Sequence, residues 1–422
     1  VSKLLVVQIA ALGWDLVQNQ PGFHRADPFF PAVTCVAQAS FRTAAQPQTH
    51  GMVANGLYFR DLRKVLFWEQ SSALVEGERI WRKFRTNGKR VGMLFWQQSL
   101  GEEVDLVLSP APIHKHSGGM IQDCYAKPHD LYARIVKAVG RPFNLMHYWG
   151  PLASRKSSDW IVDATCSVLR MSDAPDLLFS YIPHLDYDLQ RYGPDSAEAR
   201  RALDALLRYL DRLKTEALQN GYEVLFYGDY GIEAVSHGAV FPNRRLRGVG
   251  LFHQRNVKQM SYADFYGSDA FAVVDHQIAH VYTKNNTATA DAKVALRELP
   301  GVEAVLDLEE QMMRGIAHAR SGDLLMIAAR GAWFAYPWWT DKSAAPDYAT
   351  HVDIHNKPGY DPCELFFGWP PLSVSMDTDR IAGTHGRPDV PVAWTSTLDF
   401  AAAPNSLLDL ARLTRVWLDK QA

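Results

Sequence analysis

Phe30-Pro31-Ala32-Val33-Thr34-Cys35-Val36-Ala37-Gln38, followed by Pro47-Gln48-Thr49-His50-Gly51, is the stretch on which the reading of this chain turns. A short extended run ends at Thr34. A segment of helical character then reaches about Thr43, and a Pro…His-Gly turn closes it. A hydroxyl at such a junction is a candidate nucleophile, and threonine also suits the cap of the helix that follows. As a nucleophile it needs a metal ion or a base to activate it. The helix start beside it favours a bound phosphate.

Outward from that stretch, strands and helices alternate. Leu4 to Ala10 is an apolar run of strand length. Glu76 to Arg85 has helical spacing and leads through Asn87-Gly88 into the strand Val91 to Trp96. Leu177 to Ile182 is a third strand, and it ends on a polar cluster. Ser196 to Gln219 carries leucines at helical spacing, with Asn220-Gly221 as its stop. Glu223 to Tyr227 is a fourth strand, ending at Gly228-Asp229-Tyr230-Gly231. This alternation predicts an α/β fold with a mostly parallel sheet, whose sites lie beyond the carboxyl ends of the strands. Thr34, Asp186 and Asp229 all follow strands or extended runs, so one shared site is expected.

From about Ser236 to Trp339 the character changes. Ala270 to Val274 and Ile278 to Tyr282 read as paired strands, Ala290 to Leu299 as a helix, and Val302 to Val305 and Leu324 to Ala328 as further strands. The expected organisation is a main lobe of residues 1–235 and 346–422, with 236–345 as a small inserted subdomain.

The 422 residues are 47% hydrophobic and 21% charged, ordinary for a chain with a large core. A net charge of −2 argues against a dedicated nucleic-acid surface. Arg244-Arg245-Leu246-Arg247 reads as a solvated loop. Cysteines at 35, 124, 166 and 363 form no CxxC site, which fits a reducing, cytoplasmic setting. No apolar run is long enough for a membrane span.

Four elements carry chemistry. Thr34 is the first. The second is Pro183-His184-Leu185-Asp186-Tyr187-Asp188-Leu189-Gln190 with its Gly193-Pro194 turn. The third is Gly228-Asp229-Tyr230-Gly231, and the fourth is Gly383-Thr384-His385-Gly386. Their order and spacing, with Thr49-His50-Gly51-Met52-Val53-Ala54-Asn55, resemble the type I phosphodiesterase/nucleotide pyrophosphatase branch of the alkaline phosphatase superfamily. The resemblance implies an alkaline-phosphatase-like α/β/α sandwich with a mostly parallel central sheet and a small inserted α+β subdomain. It also implies a phosphoric ester hydrolase in which Thr34 attacks phosphorus, forming a phosphothreonine beside one or two divalent ions. Zinc is the family's metal; manganese and iron are open. The implied ligands are Asp186, Asp229 and His385.

Three positions depart from the family pattern. Gln190 stands where a histidine is expected and offers only a weak ligand. Tyr230 replaces a second histidine, and phenols titrate near ~10. Ala10 falls where an aspartate is expected, with Gln8 and Asp15 the nearest polar residues. His184 and Asp188 lie close enough to substitute as ligands, and Asp275-His276 and His280 are further candidates. His355 or Lys357, in Asp353 to Asp361, could meet an anionic, phosphorylated small-molecule substrate. Of the aromatic segments at 58–59, 67–68, 95–96 and 333–339, most read as core, though they could line a pocket. The competing expectations are a family member that lost its metals and binds phospho-ligands or acts as a scaffold, and a metal-independent transferase pairing Thr34 with His184.

Overall fold

The computed structural model describes residues 3–116 and 119–422. Its frame is an eight-stranded sheet built from β1 (Lys3–Ile9), β2 (His24–Ala26), β3 (Val91–Leu94), β4 (Leu106–Pro110), β5 (Cys124–Lys127), β6 (Leu177–Ile182), β7 (Tyr222–Gly228) and, from the far end of the chain, a strand Val392–Ser396. The order across the sheet is β2, Val392–Ser396, β7, β1, β6, β3, β4, β5. The five strands from β7 to β4 run parallel, and each strand outside them pairs antiparallel with its neighbour. Near-continuous burial along β1, β6 and β7 explains their mostly apolar sequence, because a parallel sheet is covered on both faces. The covering helices are α1 (Thr34–Thr43), α2 (Lys156–Leu169), α3 (His184–Tyr192), α4 (Ala197–Gln219) and, near the carboxyl end, Leu407–Gln421.

The register aligns the strand ends. Ile9 of β1 pairs with Ile182 of β6 on one side and with Gly228 of β7 on the other. Ala10, the turn into α3 and Asp229 therefore emerge side by side.

A second sheet is antiparallel: β8 (Ala270–Asp275), β9 (Ile278–Thr283), β10 (Val302–Leu306) and β11 (Leu324–Ala328). A helix Asn286–Arg297 packs on it. Its hydrophobic cluster also takes in Tyr58, Val65, Phe67, Ala349 and Tyr360, so chain from outside 236–345 shares that core.

Two local expectations are corrected. Of the 76–85 segment only residues 82–85 are helical, in a short helix Arg82–Thr86. Arg244 to Arg247 lies in a short helix, Pro242–Gly248, with Leu246 buried. No helix among the described residues is long and apolar enough to cross a membrane.

Candidate active site

Thr34 is the first residue of α1, reached through the extended Val33. Its hydroxyl opens into a cavity of ≈ 150 Å³ above the strand ends, which Asp186, Tyr181, Tyr230, His276, His355, Tyr360 and His385 also line. Thr34 Oγ1 donates to Asp229 Oδ2 at 3.3 Å and lies 3.5 Å from the Tyr181 hydroxyl.

Asp229 accepts three further hydrogen bonds. Gln8 Nε2 reaches Oδ2 at 2.9 Å, while the amides of Ala11 and Tyr230 reach Oδ1 at 3.1 and 3.0 Å. All four contacts are those of a carboxylate anion, yet burial pushes its pKa well above the ordinary carboxylate value. Gln8 is held in turn by the Tyr227 hydroxyl at 2.7 Å.

Asp186, in the first turn of α3, is the second buried carboxyl. Tyr230 Oη donates to its Oδ1 at 3.1 Å and Gln190 Nε2 to its Oδ2 at 2.7 Å. Burial raises its pKa to about 7. His385 arrives on a loop that pairs Gly383–Thr384 with Glu233–Ala234. Its Nδ1–H donates to the Ala32 carbonyl at 2.8 Å, leaving Nε2 bare, 4.0 Å from Asp186 Oδ1. Burial keeps the ring neutral, its pKa well below the usual histidine value.

Thr34, Asp186, Asp229 and His385, the four positions that the sequence resemblance singled out, thus converge on one site. Of the other candidates, Gln190 joins them as a donor to Asp186, and His276 and His355 line the cavity, while His184, Asp188, Lys357, His280 and Asp15 do not. His184 turns into the helix layer, with Nδ1 3.0 Å from Ser158 Oγ and Nε2 3.1 Å from the Ala202 carbonyl. Asp188 sits outside the cavity beside Arg191 at 4.0 Å. Lys357 is buried between Asp361 and Glu364, 2.7 Å from each, and is no free anion receptor. His280 bridges the Val53 carbonyl and the Gly322 amide. Asp15 is exposed. His355 does face the cavity, its Nδ1 held by the Phe67 carbonyl at 3.0 Å. Among the aromatic segments only Trp68 lines it; Tyr58, Phe95, Trp96 and Trp338 are core.

Tyr181 and Tyr360 were missed by sequence reasoning. Tyr181 stands near the carboxyl end of β6, where strand-end logic could have found it. Tyr360 lies in the 353–361 segment and donates to Gln190 Oε1 at 3.2 Å.

The donor set does not fit the two-ion arrangement. On the Asp229 side, Ala10 supplies no ligand, Tyr230 is a phenol whose pKa burial raises further, and Asp229 is saturated with hydrogen bonds. On the other side, Gln190 presents its amide nitrogen to Asp186. No group of three or more His, Cys, Asp or Glu among the described residues stands ready to hold an ion.

Comparison with known proteins agrees with this frame. The family model for type I phosphodiesterase / nucleotide pyrophosphatase matches residues 15–361. Venom phosphodiesterase 2 of Crotalus adamanteus is 25% identical over 217 residues, 49% of this chain and 22% of that protein's length. The match therefore spans just under a quarter of that relative. Among solved structures, phosphonoacetate hydrolase from Sinorhizobium meliloti superposes with a TM-score of 0.65 at 15% identity, covering 99% of this chain and 96% of that one. Murine ectonucleotide pyrophosphatase / phosphodiesterase 5 gives 0.60 at 16% identity, over 99% and 95%. At these identities the likeness speaks for the fold.

Proposed function

Because the chain belongs to the type I phosphodiesterase / nucleotide pyrophosphatase family, we propose that it hydrolyses a phosphodiester through Thr34, with Asp229 in place of the zinc pair as the group that activates the hydroxyl. The observation that carries this is the Thr34 Oγ1 to Asp229 Oδ2 hydrogen bond at the mouth of α1. The Thr34 proton passes to Asp229 as its oxygen bonds to phosphorus. The leaving oxygen departs with the electron pair of its P–O bond and is protonated by water. The partial positive charge at the start of α1 supports an anionic phosphoryl group there.

Charge argues for a diester. No lysine or arginine is among the residues that line the cavity, so a doubly charged monoester would enter it uncompensated. A diester brings a single charge and two organic arms, which the walls of Trp68, Tyr148, Trp149 and Tyr187 can cover.

A second reading, favoured by the way Tyr230 ties Asp186 to itself, is a phospho-ligand-binding member without turnover. Hydrolysis of bis(p-nitrophenyl) phosphate separates the two. The first reading expects turnover that survives exhaustive chelation and falls by about a thousandfold or more in Thr34→Ala. Full activity in that variant removes Thr34 from the chemistry. A silent parent that still binds the diester leaves the binding reading.

A further inference from the structure

A polar patch stands in the otherwise apolar wall of the cavity, on the side away from Asp229. Gln97, Ser109 and Tyr148 line it, and the first two are buried. Gln97 lies in the turn after β3, and Ser109 near the end of β4, the strand that pairs with β3. β3 in turn neighbours β6, whose Tyr181 hydroxyl is 3.5 Å from Thr34 Oγ1. One strand spacing, ~5 Å, therefore leads along the wall from Tyr181 to Gln97. A single aromatic ring covers that span.

The neighbours of Gln97 fix which way its amide points. Its backbone is held at both ends: the N–H donates to Gln38 Oε1 at 2.7 Å, and the carbonyl accepts from Arg42 Nη2. On the side chain, Oε1 accepts from Gln70 Nε2, which also donates to the Trp68 carbonyl at 2.9 Å. A carbonyl takes only a donor, so the Gln70 nitrogen must lie toward Trp68, and the Gln97 oxygen must lie toward Gln70. Gln97 Nε2 is thereby left to the cavity. The protein group it meets there is the Tyr148 phenol oxygen, which can occupy one of its two N–H bonds. The second N–H, the Tyr148 O–H and the Ser109 O–H have no acceptor among the described residues, and each of these atoms keeps contact with the cavity space.

Donors without acceptors in an apolar pocket select for what completes them. No lysine or arginine lines the cavity, so the complement is a neutral oxygen rather than an anion. Trp68, Tyr148 and Trp149 offer ring faces beside it, which suit a flat group.

We propose that Gln97 is a specificity-determining residue of this cavity, selecting a phosphodiester of which one arm is a planar ring bearing a carbonyl oxygen. The Gln97 amide donates to that oxygen while Trp68, Tyr148 and Trp149 cover the ring. This rests on the reading of the cavity as a diester site.

Binding tests it apart from turnover. Bis(4-acetylphenyl) phosphate and bis(4-isopropenylphenyl) phosphate share shape and charge and differ in whether each arm carries an acceptor oxygen. Calorimetric titration into the Thr34→Ala chain is expected to favour the acetyl ligand by about 3- to 10-fold in Kd, the worth of one neutral hydrogen bond. Adding Gln97→Met should abolish the preference. Adding Gln97→Glu keeps the acceptor that Gln70 requires and turns the cavity-facing group into an oxygen that repels a carbonyl, so the preference should reverse; this variant carries the test if Gln97→Met melts early. Equal affinities before either change, or an undiminished preference in both variants, overturns the role of Gln97 and leaves the diester reading standing. If neither ligand binds, the diester reading falls and this selection with it.

Discussion

The ring of Tyr230 lies face to face on the imidazole of His385, centroids 3.5 Å apart and planes within 4°. His385 lies against His276 at a 36° tilt, and His276 stacks on Tyr360, so four rings follow one another in contact. The two ends of the series return to the same carboxyl. Tyr230 donates to Asp186 directly, and Tyr360 reaches it through Gln190. Two departures from the family pattern, Tyr230 and Gln190, are therefore partners. Each puts a hydrogen-bond donor aimed at Asp186 where the resemblance implies a metal-ligand imidazole, which satisfies a buried acid that would otherwise lack a counter-charge.

If those replacements are what remove metal binding, reversing them should restore it. Ala10→Asp, Gln190→His and Tyr230→His combined return the family's donors to a site that still holds Asp186, Asp229 and His385. We expect about two equivalents of zinc per chain in the triple variant, retained through dialysis and read by elemental mass spectrometry, with a melting temperature that rises with added zinc. The parent should hold none, and chelation should leave its melting temperature unchanged. Zinc held equally by both proteins would defeat this account.

Four of the five parallel strands could be read from the chain because each is a mostly apolar run, and α4 because it carries a regular leucine stripe; β4, which ends on Ser109-Pro110, escapes that reading. Ser196 caps that helix, its Oγ accepting from the Ala199 amide at 3.0 Å. Helical spacing at 76–85 misled, because Ile80 and Trp81 are buried within a turn rather than a helix. The convergence of Thr34, Asp186, Asp229 and His385 followed from motif order. The hydrogen bonds and rings around Asp186 did not, because Tyr230, Gln190, His276 and Tyr360 meet only in three dimensions. His184 and Asp188 looked equivalent to Asp186 by spacing, but helical geometry turns them to other faces of α3.

Lys357 serves the cavity wall rather than a substrate. Its ammonium bridges Asp361 and Glu364, and Glu364 accepts from Trp149 Nε1 at 2.7 Å. Burial works against its charge, but the two carboxylates hold its pKa above the ordinary lysine value. Lys357→Met should leave two buried carboxylates without their cation and cost about 3–5 kcal/mol in urea unfolding. A loss under about 1 kcal/mol would mean that the acids find other partners.

Gly228 sets the height of Asp229 above the sheet. A Cβ there would meet the Leu12 carbonyl oxygen at 2.1 Å, an oxygen that accepts from the Ala393 amide at 3.1 Å. Gly228→Ala must push that backbone aside, along with Ala11, whose amide holds Asp229. We expect about 1–3 kcal/mol of destabilisation together with reduced turnover. Unchanged stability would show that the Leu12 turn yields freely.

Asp186 makes stability depend on pH in a direction that can be checked. Its carboxyl titrates at about 7 in the fold because of burial, against about 3.9 in an unfolded chain. Between those values the native protein keeps a proton that the unfolded chain has lost, so this group's contribution is present in full below about pH 4. It is lost as pH rises through 7, at up to about 1.4 kcal/mol per pH unit. Asp186→Asn stays neutral throughout, and its Oδ1 can still accept from Tyr230. Asp229 is coupled to Asp186, whose charge raises its pKa, so the difference between the two profiles reads Asp186 together with that coupling. Urea unfolding at intervals from pH 5 to 8 should show the parent losing stability faster than the variant, with the gap closing toward pH 5. Parallel profiles would mean that Asp186 is already ionised across this range, and that the donors from Tyr230 and Gln190 outweigh its burial.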